Sequence, residues 1–153
     1  MPLIKWTPEI SVEVPLIDDQ HKRLIAIANG LIKAVGRGLD ERVVNNVIRR
    51  LREYTVFHFS SEEKLMEEAH YPKRGEHALE HRRLKEQVKQ YQRTIYYKEN
   101  PNPEAVTNFI RTWLLKHIME SDRRLADFIH EQEKKKMEKK KAQAQPNPTE
   151  DPA

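Results

Sequence analysis

Apolar residues recur along this chain at steps of three and four, in runs separated by glycine and proline clusters. Leu24, Ala28, Leu31 and Val35 form the first run, which stops at Gly36-Arg37-Gly38, and Asp18 is placed to cap the helix they predict. Behind Asp40, a second capping residue, Val44, Val47, Leu51 and Tyr54 start a stripe that continues through His58, Glu62 and Leu65 to about Ala69. Tyr71-Pro72 and Gly75 mark a turn, and a third helix over roughly 74–98 carries His77, His81, Leu84, Val88, Tyr91 and Ile95 on one seam. After Asn100-Pro101-Asn102-Pro103 a fourth helix places Val106, Ile110, Trp113, His117, Leu125 and Phe128 on or near one face. Four amphipathic helices with short connections predict an all-α, antiparallel up-and-down four-helix bundle.

The two ends lack this pattern. Residues 1–17 contain Pro2, Pro8 and Pro15 and read as an extended arm, with Trp6 packing on the bundle. Beyond Gln132 come Lys134 to Lys136, Lys139 to Lys141 and a Pro-containing end, which predict a frayed helix followed by disorder. The expected organisation is one bundle domain over residues 1–132 and a charged tail over 133–153.

Composition narrows the chemistry. A chain of 153 residues suits one domain, and the absence of cysteine excludes disulfides, thiolate metal sites and thiol catalysis. Any metal must therefore be held by nitrogen and oxygen. The formal charge of +4 hints at nucleic acid, but residues 134–153 set six lysines against Glu138, Glu150 and Asp151, so most of that excess sits in the tail. No nucleic-acid partner is expected. No basic start with a long apolar run and no bilayer-length segment is seen, which makes the cytoplasm the expected compartment and membrane insertion unexpected.

The apolar seams carry ionisable side chains, and burying these without partners is costly. His58 and Glu62 are four residues apart, as are His77 and His81, so each pair lies within about 40° of azimuth and about 6 Å along its axis. With His21 and His117 they fall on seams that must meet inside a four-helix bundle, which is how such bundles build metal sites. His70, beside a turn, and His130, near the end of the fourth helix, read as surface residues. Asp122 lies five residues after His117, about 140° away on a regular α-helix. It joins the others only from the edge of the seam or through a local π-type turn.

The segments Ile17-Asp18-Asp19-Gln20-His21-Lys22, His58-Phe59-Ser60-Ser61-Glu62-Glu63, His77-Ala78-Leu79-Glu80-His81 and Trp113-Leu114-Leu115-Lys116-His117-Ile118, followed by Asp122, resemble the hemerythrin family in its single-domain bacterial form. The resemblance covers about residues 4 to 130. It implies two iron ions, one held by His77, His81 and His117 and the other by His21 and His58, bridged by Glu62, Asp122 and an oxo or hydroxo group. One position would then stay open on the iron with two histidines, where the family binds dioxygen reversibly and reduces it to hydroperoxide as both irons become ferric and the bridging hydroxide gives up its proton. The resemblance further implies a dry pocket over that position made by Leu24, Phe59, Trp113, Leu114 and Ile118, residues that equally serve as core. It implies an oxygen carrier rather than an enzyme, for storage, transport or delivery, with no catalytic residue assigned. A monomer is expected, an oligomer left open, and the protein recipient of oxygen unidentified.

Other chemistries fit less well. A ferritin-like di-iron protein needs two Glu-x-x-His motifs, and only Glu67 to His70 has that spacing, beside a turn. A zinc hydrolase uses fewer ligands than seven. An oxygen or redox sensor, and a di-iron oxidase or scavenger of peroxide or nitric oxide, stand as alternatives for the same site.

Overall fold

The computed structural model describes residues 3–96 and 103–144, and among these all regular structure is helical. Three rods are α1 (Pro15–Gly36), α2 (Glu41–Glu68) and α3 (Arg74–Tyr96). The fourth joins α4 (Pro103–Lys116), a π-helical turn (His117–Asp122) and α5 (Arg123–Ala144) without a break. This is the four-helix bundle that the periodicity predicts. The predicted break at Asn100-Pro101-Asn102 and the Pro-containing end after residue 144 lie outside the described residues.

The helix ends follow local chemistry. α1 starts at Pro15, ahead of the expected cap Asp18, because proline has no N–H to satisfy in a first turn and its φ suits the helix. Asp18 instead accepts from the Ser11 hydroxyl at 2.6 Å and the Val12 N–H at 2.9 Å, tying the arm to the first turn. Asp40 does cap α2, accepting from the Arg42 N–H at 3.1 Å. Both α1 and α2 end in the same double closure. Leu39 N–H donates to Ala34 C=O and Gly38 N–H to Val35 C=O, while Tyr71 N–H donates to Met66 C=O and His70 N–H to Glu67 C=O. The left-handed position is Gly38 (φ 63°) in the first and His70 (φ 53°) in the second.

The N-terminal arm is more closely docked than an extended strand. A turn at residues 8–10 is closed by Ile10 N–H to Thr7 C=O, and Ile4 exchanges two hydrogen bonds with the Asn29 side chain at 2.8 and 2.9 Å. Trp6 packs on the core as expected, with the Lys22 ammonium 5.1 Å from its ring centre. His130, expected at the surface, is half-buried and donates to Val12 C=O at 2.9 Å, while the Arg123 guanidinium donates to Glu9 C=O.

At the other end α5 does not fray at Gln132. It runs to Ala144 with residues 133–144 all exposed. Lys, Glu, Gln, Met and Ala are strong helix formers, so this stretch holds its helix without burying an apolar face.

Buried apolar side chains form two clusters. The larger contains Leu24, Leu31, Ile48, Leu51, Phe59, Trp113, Leu114 and Ile118, and the smaller contains Val12, Ile17, Met66, Tyr71, Leu125 and Ile129. Three of the rods pass from one to the other through polar residues: Ile17 to Leu24 by way of His21, Phe59 to Met66 by way of Glu62, and Ile118 to Leu125 by way of Asp122.

Candidate metal centre

His21 comes from α1, His58 and Glu62 from α2, His77 and His81 from α3, and His117 and Asp122 from the two ends of the π turn. All seven are at most 5% exposed, so the polar layer between the apolar clusters is shut off from solvent. The four-residue spacings in α2 and α3 work as the sequence predicts. The π turn resolves Asp122, because its wider winding brings positions five apart into line and sets Asp122 Oδ1 3.0 Å from His117 Nε2.

The layer divides into two groups that share both carboxylates. His77, His81 and His117 form one with Glu62 and Asp122, and His21 and His58 form the other, the ligand-type atoms of each group lying within 4.8 Å of one another. Each carboxylate gives one oxygen to each side. Glu62 Oε1 is 2.7 Å from His58 Nε2, while its Oε2 is 3.0 Å from His77 Nε2 and 3.2 Å from His81 Nε2. Asp122 Oδ2 is 2.6 Å from His21 Nε2, while its Oδ1 lies 3.0 and 3.1 Å from His117 and His77.

Such a donor set fits a cation pair better than it fits itself. His81 Nε2 and His117 Nε2 face each other at 3.3 Å, and His58 Nε2, Glu62 Oε1 and Asp122 Oδ1 are buried in close contact with neighbours yet not aligned for a hydrogen bond. Without metal, protons carry the balancing charge. Burial alone would lower the pKa of His58 and of His77, but the Glu62 and Asp122 carboxylates outweigh it and raise both to about 9. His117 and His21 are raised against the same burial penalty, whereas for His81 burial prevails and lowers it. Burial works to raise Glu62 and Asp122, yet the surrounding imidazoles hold both carboxyls well below their ordinary range.

The chain matches the model of the hemerythrin HHE cation binding domain over residues 12–129, which spans every residue of this layer. It belongs to the hemerythrin family. Among hemerythrins it is similar to a bacteriohemerythrin of Stenotrophomonas maltophilia, 34% identical over 84% of this chain and 83% of that protein. A bacteriohemerythrin of Clostridium acetobutylicum is 31% identical over 80% of this chain and 98% of its own length. The crystal structure of a wild-type hemerythrin superposes with a TM-score of 0.77 at 29% identity, covering 82% of this chain and 97% of that one.

Around the hemerythrin-type layer lie outer partners to which spacing along the chain assigns no role. His58 Nδ1–H donates to Gln20 Oε1 at 2.7 Å. His117 Nδ1–H donates to Glu80 Oε1 at 2.9 Å, and Ser121 Oγ–H holds the other Glu80 oxygen at 2.6 Å. These bonds turn each Nε2 lone pair inward, as outer partners of ligating histidines do. The His117 contact, and secondarily Ser121, overcome partial burial to bring Glu80 down to about 2. The signal for Gln20 and Glu80 was their place directly before His21 and His81, but adjacency in sequence does not say which ring a side chain will reach. The five residues expected over the open position, Leu24, Phe59, Trp113, Leu114 and Ile118, all fall in the larger apolar cluster, with Phe59 stacked on His81 at 3.8 Å between ring centres.

Proposed function

We propose that this hemerythrin binds dioxygen reversibly at a non-haem di-iron centre, as a store, transporter or deliverer of oxygen in the cytoplasm and not as an enzyme. The observation that carries this reading is the division of Glu62 and Asp122, each with one oxygen toward either histidine group. A carboxylate placed so would serve to bridge two cations. His77, His81 and His117 would hold one iron, His21 and His58 the other, with an oxo or hydroxo group completing the bridge. The iron pair supplies the two electrons that bind dioxygen, which no side chain here can provide. The chain's own part is to bind and to exclude water. Two groups of unequal size, five residues against four, would leave the free position on the side of His21 and His58. Leu24, Phe59, Trp113, Leu114 and Ile118 would line the approach and keep it dry.

Anaerobic reduction followed by exposure to oxygen and its removal under a spectrometer tests the proposal. A charge-transfer band that comes and goes with oxygen, with two irons per chain by metal analysis, is the expected result. Irreversible bleaching with turnover would favour an oxidase, and two zinc ions without iron would overturn the assignment.

A further inference from the structure

The inward stripe of α2 runs Ile48, Leu51, Thr55, His58, Glu62, and all five are at most 1% exposed. Thr55 is the one polar residue of that stripe outside the polar layer, and its hydroxyl has no hydrogen-bond partner. A helical threonine ordinarily satisfies itself on the carbonyl four residues back, here that of Leu51, and this one does not. A dry hydroxyl in an apolar layer destabilises the fold, so valine of the same shape is the residue expected for packing alone.

Its position points to a use. Thr55 lies three residues before His58, about 4.5 Å along the axis and about 60° around it. Because α1 and α2 are antiparallel, one turn before His58 on α2 is level with one turn after His21 on α1, which is Leu24. Thr55 is therefore over the four-residue group, the side with the smaller donor set. Two other buried groups lack partners beyond the polar layer. Trp113 Nε1 is carried by a ring of the proposed pocket that stacks on His117, a histidine of the larger donor group, and the Asn45 side chain stands thirteen residues from His58, about 20 Å along α2.

We propose that the Thr55 hydroxyl is a ligand-positioning residue, donating a hydrogen bond to the small exogenous ligand, dioxygen or an anion such as azide, taken up beside His21 and His58. This rests on the di-iron reading above. A donor there favours ligands whose outer atom accepts a hydrogen bond over those, such as carbon monoxide, whose outer atom accepts poorly.

The test uses the full chain loaded with iron, as wild type, Thr55→Val and Thr55→Ser. Azide titration of the diferric form and the vibrational spectrum of its adduct in light and heavy water are the readouts, with iron content and Tm of the metal-free chain as controls. Thr55→Val is expected to keep its iron and an equal or higher Tm. It should weaken azide about tenfold and lose the heavy-water shift of the azide stretch, both recovered in Thr55→Ser. Azide affinity within twofold of wild type, or a retained shift, would overturn the proposal, as would loss of iron or a lower Tm in Thr55→Val, since the hydroxyl would then be structural. If wild type binds oxygen reversibly while the variants do not differ, only Thr55 fails. If iron-loaded wild type gives neither an oxygen nor an azide spectrum, the di-iron reading fails and this inference with it.

Discussion

The histidine rings depend on residues that would not touch a metal. Glu80 accepts from His117 Nδ1 and is itself held by Ser121, so the ring cannot rotate without breaking its bond to Glu80, and Glu80 cannot follow it without leaving Ser121. Glu80→Gln keeps the shape but removes the charge, and Ser121 stays to hold it. Chelator competition should show metal affinity reduced by about 10- to 100-fold, as for other outer partners of metal-bound histidine. Leu114 acts by the opposite means, through lack of polarity. It is buried in the larger apolar cluster, and a polar group there would give water a foothold beside the proposed open position. Leu114→Gln should therefore speed conversion of the oxygenated protein to an inactive ferric form, read as the decay rate of its visible band, and an unchanged rate would remove Leu114 from the pocket.

Among the elements, the most informative are the ones that break the regular pattern. The helical seams of all four rods were legible because period and spacing are local properties. Placing His58 with Glu62 and His77 with His81 needed only 3.6 residues per turn. The π turn was legible as a conflict, an acidic residue at the wrong phase, while the choice between edge entry and a wider turn waited for the structure. The start of α1 was misread at Asp18 because Pro15 supplies a competing signal. The helix from 133 to 144 was misread because low burial was equated with disorder. The second double closure was not legible at all. It puts His70, a residue with a Cβ, at φ 53° where α1 uses Gly38. His70 is exposed and its conformation costs about 1 kcal/mol relative to glycine. Thermal unfolding of His70→Gly should show a Tm raised by a few degrees with metal content unchanged.

At the scale of the whole molecule, a charged layer separates two apolar clusters, and its protons and its metal compete for the same nitrogens. In the metal-free chain His58 and His77 have pKa values of about 9 against 6.5 when unfolded, so the stability they contribute is complete below pH 6.5 and lost as pH rises through 9. Glu62 and Asp122 act in the other direction, stabilising above their ordinary values of 4.5 and 3.8 and losing this as pH falls through their lowered ones. Metal needs neutral imidazole, so its hold tightens over the interval in which the protons leave. Scanning calorimetry from pH 6.5 to 9 should show Tm falling for the metal-free protein and holding or rising for the loaded one. Equal slopes would mean that the histidines do not exchange protons for metal.

The sandwich of apolar, charged and apolar layers also bears on how long a molecule survives. Every rod gives a histidine to the middle layer, so emptying it loosens all four at one height and makes local opening there easier. A protease that cuts opened chains would then tell vacant molecules from filled ones with no added recognition step, and a population left to turn over would enrich itself in the working form.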